Sequence, residues 1–184
     1  MTLDIFCRKA YNVFIQRYPT HRTVTEADKM EIRRASQSDK DGINRLLRQV
    51  LEVHHAGRPD LFKGGVKKYT DDELSEIIAD DSRPIFAAFD GEKLVGYAFC
   101  ILKHFPDDNI LTDIKTLYID DLCVDENERG KHIGASVYEY VLGYAKSIGC
   151  YNVTLNVWTC NEGAMKFYEK MGLKPQKIGM EKIL

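Results

Sequence analysis

The chain has 184 residues, of which 44% are hydrophobic and 29% charged, and its formal net charge is −2. This composition predicts one compact domain and argues against disorder, which needs low hydrophobicity and a large net charge. A near-neutral charge provides no electrostatic footprint for nucleic acid, and no apolar run approaches the ~18 residues of a membrane span. We therefore expect neither a nucleic-acid partner nor a membrane partner.

The first 29 residues differ from the rest of the chain. An amphipathic pattern ends at Pro19, and a polar stretch separates it from Met30, where a strand pattern begins. Two interpretations stay open: a short helix that docks on the domain or on a partner, or an extension upstream of a domain that starts at Met30. Residues 30–184 form the predicted domain in either case.

From Met30 onward, hydrophobic periodicity predicts alternating strands and helices. A strand at Ile32 precedes a helix that opens with a capping box from Ser38 to Asp41, and a second helix covers Asp71 to Ala79. Further strands are predicted at 84–89, 93–103, 114–124 and 151–158, further helices at 133–148 and 161–171, and a last extended segment at 173–184. The order β-α-α-β-β-β-α-β-α-β predicts a single α/β (α+β) domain on a mixed sheet.

The cysteines show no pairing pattern. They are Cys7, Cys100, Cys123, Cys150 and Cys160, and none forms a C-x-x-C pair. Neither a disulfide framework nor a zinc site follows, so we expect free thiols and no metal. The first residues also lack the basic and apolar regions of a secretory signal, which favours a cytoplasmic location.

A turn between the strand at 114–124 and the following helix carries the first functional pattern. It reads Arg129-Gly-Lys-His-Ile-Gly134-Ala135. The first amides of a helix have no internal partner, the helix dipole is positive there, and glycines let the backbone close on a ligand. The turn is compatible with a pyrophosphate cradle and also with a solvated basic corner. It matches neither the P-loop nor the dinucleotide fingerprint.

A second pattern comprises Asn161, Ala164, Phe167, Tyr168, Gly172 and Leu173. By periodicity alone, Tyr168 fits a core position better than a catalytic one. Together, however, the two patterns resemble the GNAT superfamily of N-acetyltransferases over residues 30–184. The family motif Q/R-x-x-G-x-G/A is matched from Arg129 to Gly134, with His132 in place of the first glycine, and N-x-x-A-x-x-F-Y-x-x-x-G-F/L is matched from Asn161 to Leu173.

The resemblance implies a mostly antiparallel sheet with splayed central strands, flanked by helices, and acetyl-CoA as the co-substrate. The thioester is then expected between the fourth and fifth strands. The implied acetyl-CoA contacts are Leu122, Cys123, Val124, Arg129, Gly130, Lys131, His132, Ile133, Gly134, Ala135, Asn161 and Tyr168. Asn161 is alternatively a helix N-cap, and both roles can coexist. The implied reaction is direct transfer of an acetyl group to a primary amine in a ternary complex.

The amine must lose a proton to attack, so a general base is needed. Asp120 and Asp121 lie on the strand beside the expected thioester, and strand alternation sends them to opposite faces unless a bulge intervenes. Asp120 shares the parity of Leu122 and Val124, so it is the first choice as base. Asp121 is the second choice or binds a cationic substrate, and either residue is alternatively an ion-paired strand carboxylate. Tyr168 is predicted to protonate the leaving thiolate.

The loop that follows the first helix is the predicted acceptor site. His55, Arg58 and Phe62 are expected to contact a small-molecule amine or an amine of a protein or peptide, although a packed, hydrogen-bonded loop is the alternative. A non-catalytic acetyl-CoA sensor is the competing function, and Tyr168 and the nearby acids favour the enzyme. A homodimer is compatible with the resemblance.

Overall fold

The computed structural model describes residues 30–184, so both interpretations of residues 1–29 lie outside the described part of the chain. Five strands form one sheet in chain order. They are β1 Glu31–Arg34, β2 Ile85–Asp90, β3 Lys93–His104, β4 Lys115–Val124 and β5 Asn152–Leu155. The helices are α1 Lys40–Gly57, α2 Asp71–Ala79, α3 Ile133–Ser147 and α4 Glu162–Lys170.

The sheet is antiparallel from β1 to β4, and β5 pairs with β4 in parallel. This arrangement confirms the predicted α/β (α+β) domain with a mixed, mostly antiparallel sheet. Across the described residues, no helix combines the length and the apolarity required to cross a bilayer.

The start of α1 differs from the prediction. The capping box involves Ser36 and Asp39 rather than Ser38 and Asp41, because Asp39 accepts from the Ser36 backbone amide at 2.7 Å. Arg33 also donates to Asp39 at 2.8 Å, which holds the carboxylate in place. At α2 the predicted bounds are confirmed, and a capping box joins Thr70 and Glu73.

The predicted last strand is absent: residues 173–184 contain no strand. Leu173 packs on the core beside α3, whereas Ile178, Met180 and Ile183 are at least three-quarters exposed. An extended pattern forms a strand only where a neighbour supplies ladder hydrogen bonds, and these residues have none. β5 is also shorter than predicted, because the chain leaves β4 after Leu155.

The sheet separates two apolar cores. On one face α1 and α2 cover a cluster that includes Ile43, Leu74 and Tyr97. On the other face α3 and α4 cover a cluster that includes Leu117 and Val137. Each helix buries one stripe of apolar side chains, as amphipathic periodicity requires. A ligand that reaches the space between the two cores must therefore enter through an opening in the sheet.

Such an opening exists between β4 and β5. The two strands pair from Thr116 opposite Asn152 to Ile119 opposite Leu155. β4 then continues to Val124 with no partner on that edge among residues 30–184. The predicted splay of the central strands is thus present, and the unpaired half of β4 lines the gap.

Candidate active site

A β-bulge in β4 determines where the two aspartates point. Phe99 of β3 lies opposite Asp121, and the next β3 residue, Cys100, lies opposite Ile119, so Asp120 is one extra residue. A bulge of this kind breaks strict alternation. Asp120 and Asp121 consequently lie on the same face and reach the same ammonium group, that of Lys68.

The bulge overturns the parity argument that ranked Asp120 first. Ile119 before the bulge and Leu122 and Val124 after it all pack into the α3 core. Asp120 therefore does not share a face with Leu122 and Val124, as the alternation predicted. Both carboxylates face the side of the sheet covered by α1 and α2.

Asp121 is the buried member of the pair. It is 7% exposed, accepts a hydrogen bond from the Tyr97 hydroxyl at 3.2 Å, and lies 3.5 Å from Lys68 Nζ. Burial raises the pKa of the Asp121 carboxyl, and the nearby charges of Lys68 and His54 offset only part of that effect. A carboxylate with a raised pKa is a better proton acceptor near neutral pH.

Lys68 bridges the two carboxylates. Its Nζ lies 3.2 Å from Asp120 Oδ2, and its side chain is one-third exposed. Burial alone would lower the pKa of Lys68, but the charges of Asp121, Tyr69 and Asp120 reverse this effect and raise that pKa above its ordinary value. Lys68 therefore stays an ammonium ion at every physiological pH.

Tyr168 on α4 lies close to the same group. Burial raises the pKa of the Tyr168 phenol, and the charges of Asp121 and Tyr138 raise it further. Asp121 and Tyr138 are thus near enough to the Tyr168 phenol for their charges to act on it. Its raised pKa keeps Tyr168 protonated and able to donate a proton.

The turn before α3 presents a row of free amides. None of the backbone amides of residues 129–135 finds an acceptor within residues 30–184, and the first helical hydrogen bond runs from Ser136 to the His132 carbonyl at 3.1 Å. Gly130 and His132 have positive φ angles of 81° and 64°. Two left-handed residues so close together curve the backbone and turn its amides toward one concave side, which suits an anion.

The basic side chains of this turn differ in availability. Lys131 donates to Glu128 at 2.5 Å and is already paired, whereas Arg129 has no ion-pair partner within residues 30–184. Gly134 lies close to the wall of the gap, because a Cβ added there would lie 3.4 Å from Val124 Cγ2 and 3.6 Å from the Phe167 ring. Ile133 is buried in the core, so only its amide faces the turn.

Two further predicted contacts have structural roles. Asn161 is the N-cap of α4, with its side chain accepting from the Ala164 amide at 3.1 Å. The Cys123 thiol is buried beside the Leu46 carbonyl, and burial raises its pKa to about 12. A thiol with that pKa is not a nucleophile at neutral pH.

The predicted acceptor loop is packed and hydrogen-bonded. His55 Nδ1 lies 2.7 Å from the Phe62 carbonyl oxygen. Arg58 pairs with Asp60 at 2.7 Å and with Glu181 at 2.9 Å, so two carboxylates already occupy its guanidinium. Among the three predicted residues, Phe62 is the one whose side chain forms part of an aromatic wall.

That aromatic wall connects the loop to the acids. Phe62 packs against His54 with ring centroids 5.0 Å apart and against Trp158 at 5.4 Å. His54 is near enough to Asp121 and Lys68 for their charges to affect its pKa, which burial lowers. The wall therefore leads from the carboxylate pair to the segment that follows β5.

Sequence reasoning missed four residues of this site: His54, Lys68, Tyr97 and Trp158. Tyr97 reads as a core residue of an apolar strand, and Lys68 reads as one of several lysines in a polar loop. The adjacent histidines His54 and His55 indicated a functional loop. Nothing in the sequence showed that His54, and not the predicted His55, lies near Asp121. No group of three or more metal-ligating side chains comes together within residues 30–184.

Comparison with known proteins agrees with this geometry. The model of the acetyltransferase (GNAT) family matches residues 49–173. A solved structure of a variant BH1408 protein from Bacillus halodurans is 31% identical, with a TM-score of 0.80, and the match covers 84% of this chain and 99% of that chain. The structure of glucosamine-6-phosphate N-acetyltransferase from Arabidopsis thaliana is 28% identical, with a TM-score of 0.62, over 84% of this chain and 98% of that chain.

A curated relative has the same name as the second structure. Glucosamine 6-phosphate N-acetyltransferase from Arabidopsis thaliana is 40% identical over 68 residues, which make up 37% of this chain and 44% of the relative. The matched segment therefore spans less than half of that relative. The family model covers more than half of this chain, and β2 to β5, α2, α3 and α4 lie within the match: the chain belongs to the acetyltransferase (GNAT) family.

Proposed function

We propose that the protein is an acetyl-CoA-dependent N-acetyltransferase that transfers the acetyl group to a primary amine by direct attack. The observation that carries this proposal is a buried carboxylate, Asp121, on the half of β4 that lies beyond its pairing with β5, near enough to Tyr168 for its charge to raise the pKa of that phenol. Together with the turn before α3, these residues supply a candidate proton acceptor, a candidate proton donor and a candidate anion cradle.

The residues present fit acetyl-CoA. Seven consecutive free amides, at residues 129–135, suit its pyrophosphate, and Arg129 is available to add charge. The unpaired edge of β4 at residues 122–124 suits the extended pantetheine arm through backbone hydrogen bonds, with the side chains of Leu122, Cys123 and Val124 serving as core. When bound, acetyl-CoA supplies an acetyl group activated as a thioester.

Asp121 is proposed as the general base. An alkylammonium has a pKa of about 10.4, so the attacking nitrogen must give up a proton at neutral pH. The raised pKa of Asp121 narrows the difference between the pKa of the ammonium that gives up the proton and the pKa of the carboxylate that accepts it. General-base catalysis of this kind contributes ~10²–10⁴-fold to the rate. Asp120, which is more exposed and closer to Lys68, is proposed to orient the cationic group of the acceptor.

Tyr168 is proposed as the general acid. Its phenol stays protonated at neutral pH and gives its proton to the leaving thiolate. An acyl-enzyme on Cys123 is disfavoured, because that thiol is buried and its pKa is about 12. Direct transfer between the two substrates is the simpler route.

Glucosamine 6-phosphate is the first acceptor to test, because two curated relatives are named glucosamine 6-phosphate N-acetyltransferases. The described site supports recognition of its amino group through Asp120 and Asp121. The predicted homodimer, the cytoplasmic location and the expected absence of nucleic-acid and membrane partners stay predictions.

Two measurements test the proposal. A hundredfold excess of acetyl-CoA over its Kd should stabilise the protein by about 2.7 kcal/mol, seen as a higher melting temperature. Gly134→Val should remove this shift, because its methyl groups crowd the gap between Val124 and Phe167, while the smaller Gly134→Ala should retain part of it. An unchanged melting temperature in the presence of acetyl-CoA would contradict the proposal that acetyl-CoA is the co-substrate.

An acceptor panel with a free-thiol readout then tests turnover. It should include glucosamine 6-phosphate, glucosamine, a polyamine, an aryl-alkylamine and a peptide with a free N-terminus. Release of CoA that depends on one of these acceptors supports the enzyme. Binding of acetyl-CoA without acceptor-dependent release across the panel would favour the non-catalytic sensor.

A further inference from the structure

Lys68 holds the position that an acceptor ammonium group would need. Its Nζ lies 3.2 Å from Asp120 Oδ2 and 3.5 Å from Asp121 Oδ2, and 5.3 Å from the centre of the Tyr69 ring. Carboxylates and an aromatic face are the groups that recognise a primary ammonium. The chain thus places one of its own ammonium groups in the proposed acceptor subsite.

The anchoring around Lys68 is asymmetric. Tyr69 stacks on Phe99 with ring centroids 6.0 Å apart, and Thr70 caps α2, so the backbone on the C-terminal side of Lys68 is fixed. On the N-terminal side, residues 64–67 are exposed, and their polar contacts are with exposed carboxylates: the Gly65 amide donates to Glu52 at 3.0 Å and Lys67 pairs with Asp71. The Lys68 side chain is one-third exposed and has a path to solvent if it leaves the carboxylates.

We propose that Lys68 is an internal surrogate for the acceptor: its ammonium occupies the Asp120–Asp121 pair until a cationic primary amine displaces it. The inference rests on the proposed function and names its substrate class, an amine that arrives protonated. Lys68 then sets specificity, because a neutral competitor gains no ion pair from displacing it. Apparent affinity for the amine is reduced by the fraction of molecules in which Lys68 fills the subsite.

The direct test compares Lys68→Met with Lys67→Met. The first variant keeps an unbranched side chain, one atom shorter than lysine, and removes the charge. The second alters an exposed neighbour that pairs with Asp71 at 3.1 Å and touches neither Asp120 nor Asp121. Lys68→Met should lower the KM for a cationic acceptor roughly two- to fivefold, the range that a partly exposed ion pair contributes. Lys67→Met should leave KM unchanged, and Lys68→Arg should restore a KM near that of the wild type.

A pH profile separates this role from simple packing. Loss of the Lys68 charge should shift the acidic limb of kcat/KM to higher pH, because Asp121 loses its nearest cation. The other groups that influence Asp121 remain in place in this variant; they are His54 on α1, Tyr97 on β3 and Asp120 on β4. Cys123 on β4 and Tyr168 on α4, whose pKa values the charge of Asp121 raises, also face this carboxylate unchanged. A raised KM in Lys68→Met would contradict the proposal that Lys68 is an internal surrogate for the acceptor. A lowered kcat with an unchanged pH profile of kcat/KM would also contradict it.

A second experiment uses the wild-type chain and does not depend on turnover. Acetic anhydride labels accessible lysines, and peptide mass spectrometry reports the rate at each position. A tertiary alkylammonium such as trimethylammonium carries the acceptor's charge and an N–H donor, and it forms no stable amide. It should increase labelling of Lys68 severalfold by displacing it, with Lys67 unchanged. Unchanged labelling of Lys68 at saturating probe would overturn the inference.

The two experiments distinguish the inference from the function on which it rests. Faster labelling of Lys68 together with no turnover of any acceptor would reject the acetyltransferase proposal and keep the ammonium subsite. Normal turnover with unchanged labelling and unchanged KM in Lys68→Met would keep the enzyme and reject the surrogate.

Discussion

Asp121 and Asp125 lie four residues apart at the end of β4 and are 7% and 1% exposed, but their carboxyl pKa values shift in opposite directions. Burial opposes ionisation of both. At Asp125 the Arg45 guanidinium and the Asn127 amide, at 3.1 Å, outweigh burial and hold the pKa at about 2. At Asp121 burial prevails, and the pKa is raised.

The difference shows that the donors around a buried carboxylate decide whether the effect of burial on its pKa prevails. Asp125 ties the start of the α3 turn to α1, and Arg45 also donates to the Leu94 carbonyl at 2.6 Å. The charge of Asp125 is compensated by these donors, so Asp125 holds the start of the α3 turn against α1. Asp121 has a phenol and a more distant lysine as partners, which leaves its basicity available for chemistry.

The largest expected effect comes from Asp121→Asn. Loss of the proposed base should lower kcat/KM by ~10²–10⁴ near neutral pH, and the loss should shrink at high pH, where the amine deprotonates unaided. Steady-state kinetics from pH 6 to 9 measure both. Because the folded-state pKa of Asp121 is raised, its ionisation in the wild type lowers stability as pH rises from the ordinary pKa of 3.8 through the raised folded-state pKa. The Asn variant should therefore be no less stable.

Asp120→Asn is the matched control for this prediction. It removes a neighbouring carboxylate that pairs with the same lysine but is more exposed. We expect a smaller loss, mainly in KM. A larger loss in Asp120→Asn than in Asp121→Asn would return the role of base to Asp120.

Tyr168→Phe tests the acid that faces the same gap. A CoA thiol resembles cysteine, with a pKa of about 8.5, so its thiolate already leaves readily and the benefit should lie at the lower end of the usual range, about 10²-fold in kcat. The ring remains, so melting temperature and acetyl-CoA affinity should change little. Full kcat in the Phe variant, with chemistry shown to limit the rate, would assign Tyr168 to packing alone.

Asp125→Asn should affect stability and not proton transfer. The variant removes an ion pair whose aspartate is buried and whose arginine is partly exposed, so we expect a loss on the order of 1–2 kcal/mol in the free energy of unfolding. The folded-state pKa of Asp125 is depressed, so its contribution is present above the ordinary pKa of 3.8 and is lost as pH falls toward about 2. Urea unfolding at pH 7 and pH 3 should show a smaller difference between the two proteins at pH 3; an equal difference would contradict the linkage.

The smallest effect is expected from His132→Gly, at the turn that Asp125 anchors. His132 has a φ of 64°, a left-handed conformation that costs a side-chain-bearing residue about 1 kcal/mol. Glycine removes this strain but adds entropy to the unfolded chain, so the net gain should be a few tenths of a kcal/mol. Thermal melts measure it, and acetyl-CoA affinity should be equal or better. A loss of affinity would indicate that the imidazole itself contacts the cofactor.

The sequence was informative where structure is local. Hydrophobic periodicity predicted the bounds of α2 and the order of the five strands and four α-helices within residues 30–184. The position where His132 stands in place of a motif glycine is one where the backbone takes a left-handed conformation. Both features depend on residues adjacent in the chain, so a one-dimensional pattern contains them.

The parts that could not be predicted depend on contacts across the sheet. A single extra residue in β4 changes which face Asp120 occupies, and a period of two cannot reveal it. The partnership of Lys68 with Asp120 and Asp121 joins positions more than fifty residues apart. The last extended segment is likewise no strand, because no strand within residues 30–184 pairs with it.

The bulge at Asp120 also limits which insertions and deletions this strand can accept. Deleting Asp120 would restore simple alternation and leave Leu122, Cys123 and Val124 on their present faces, because Asp120 is the extra residue opposite β3. Deleting a residue between Asp121 and Val124 would instead send the residues after it to the opposite face, so the two cores would exchange side chains. The length of β4 beyond the bulge is therefore as constrained as its composition.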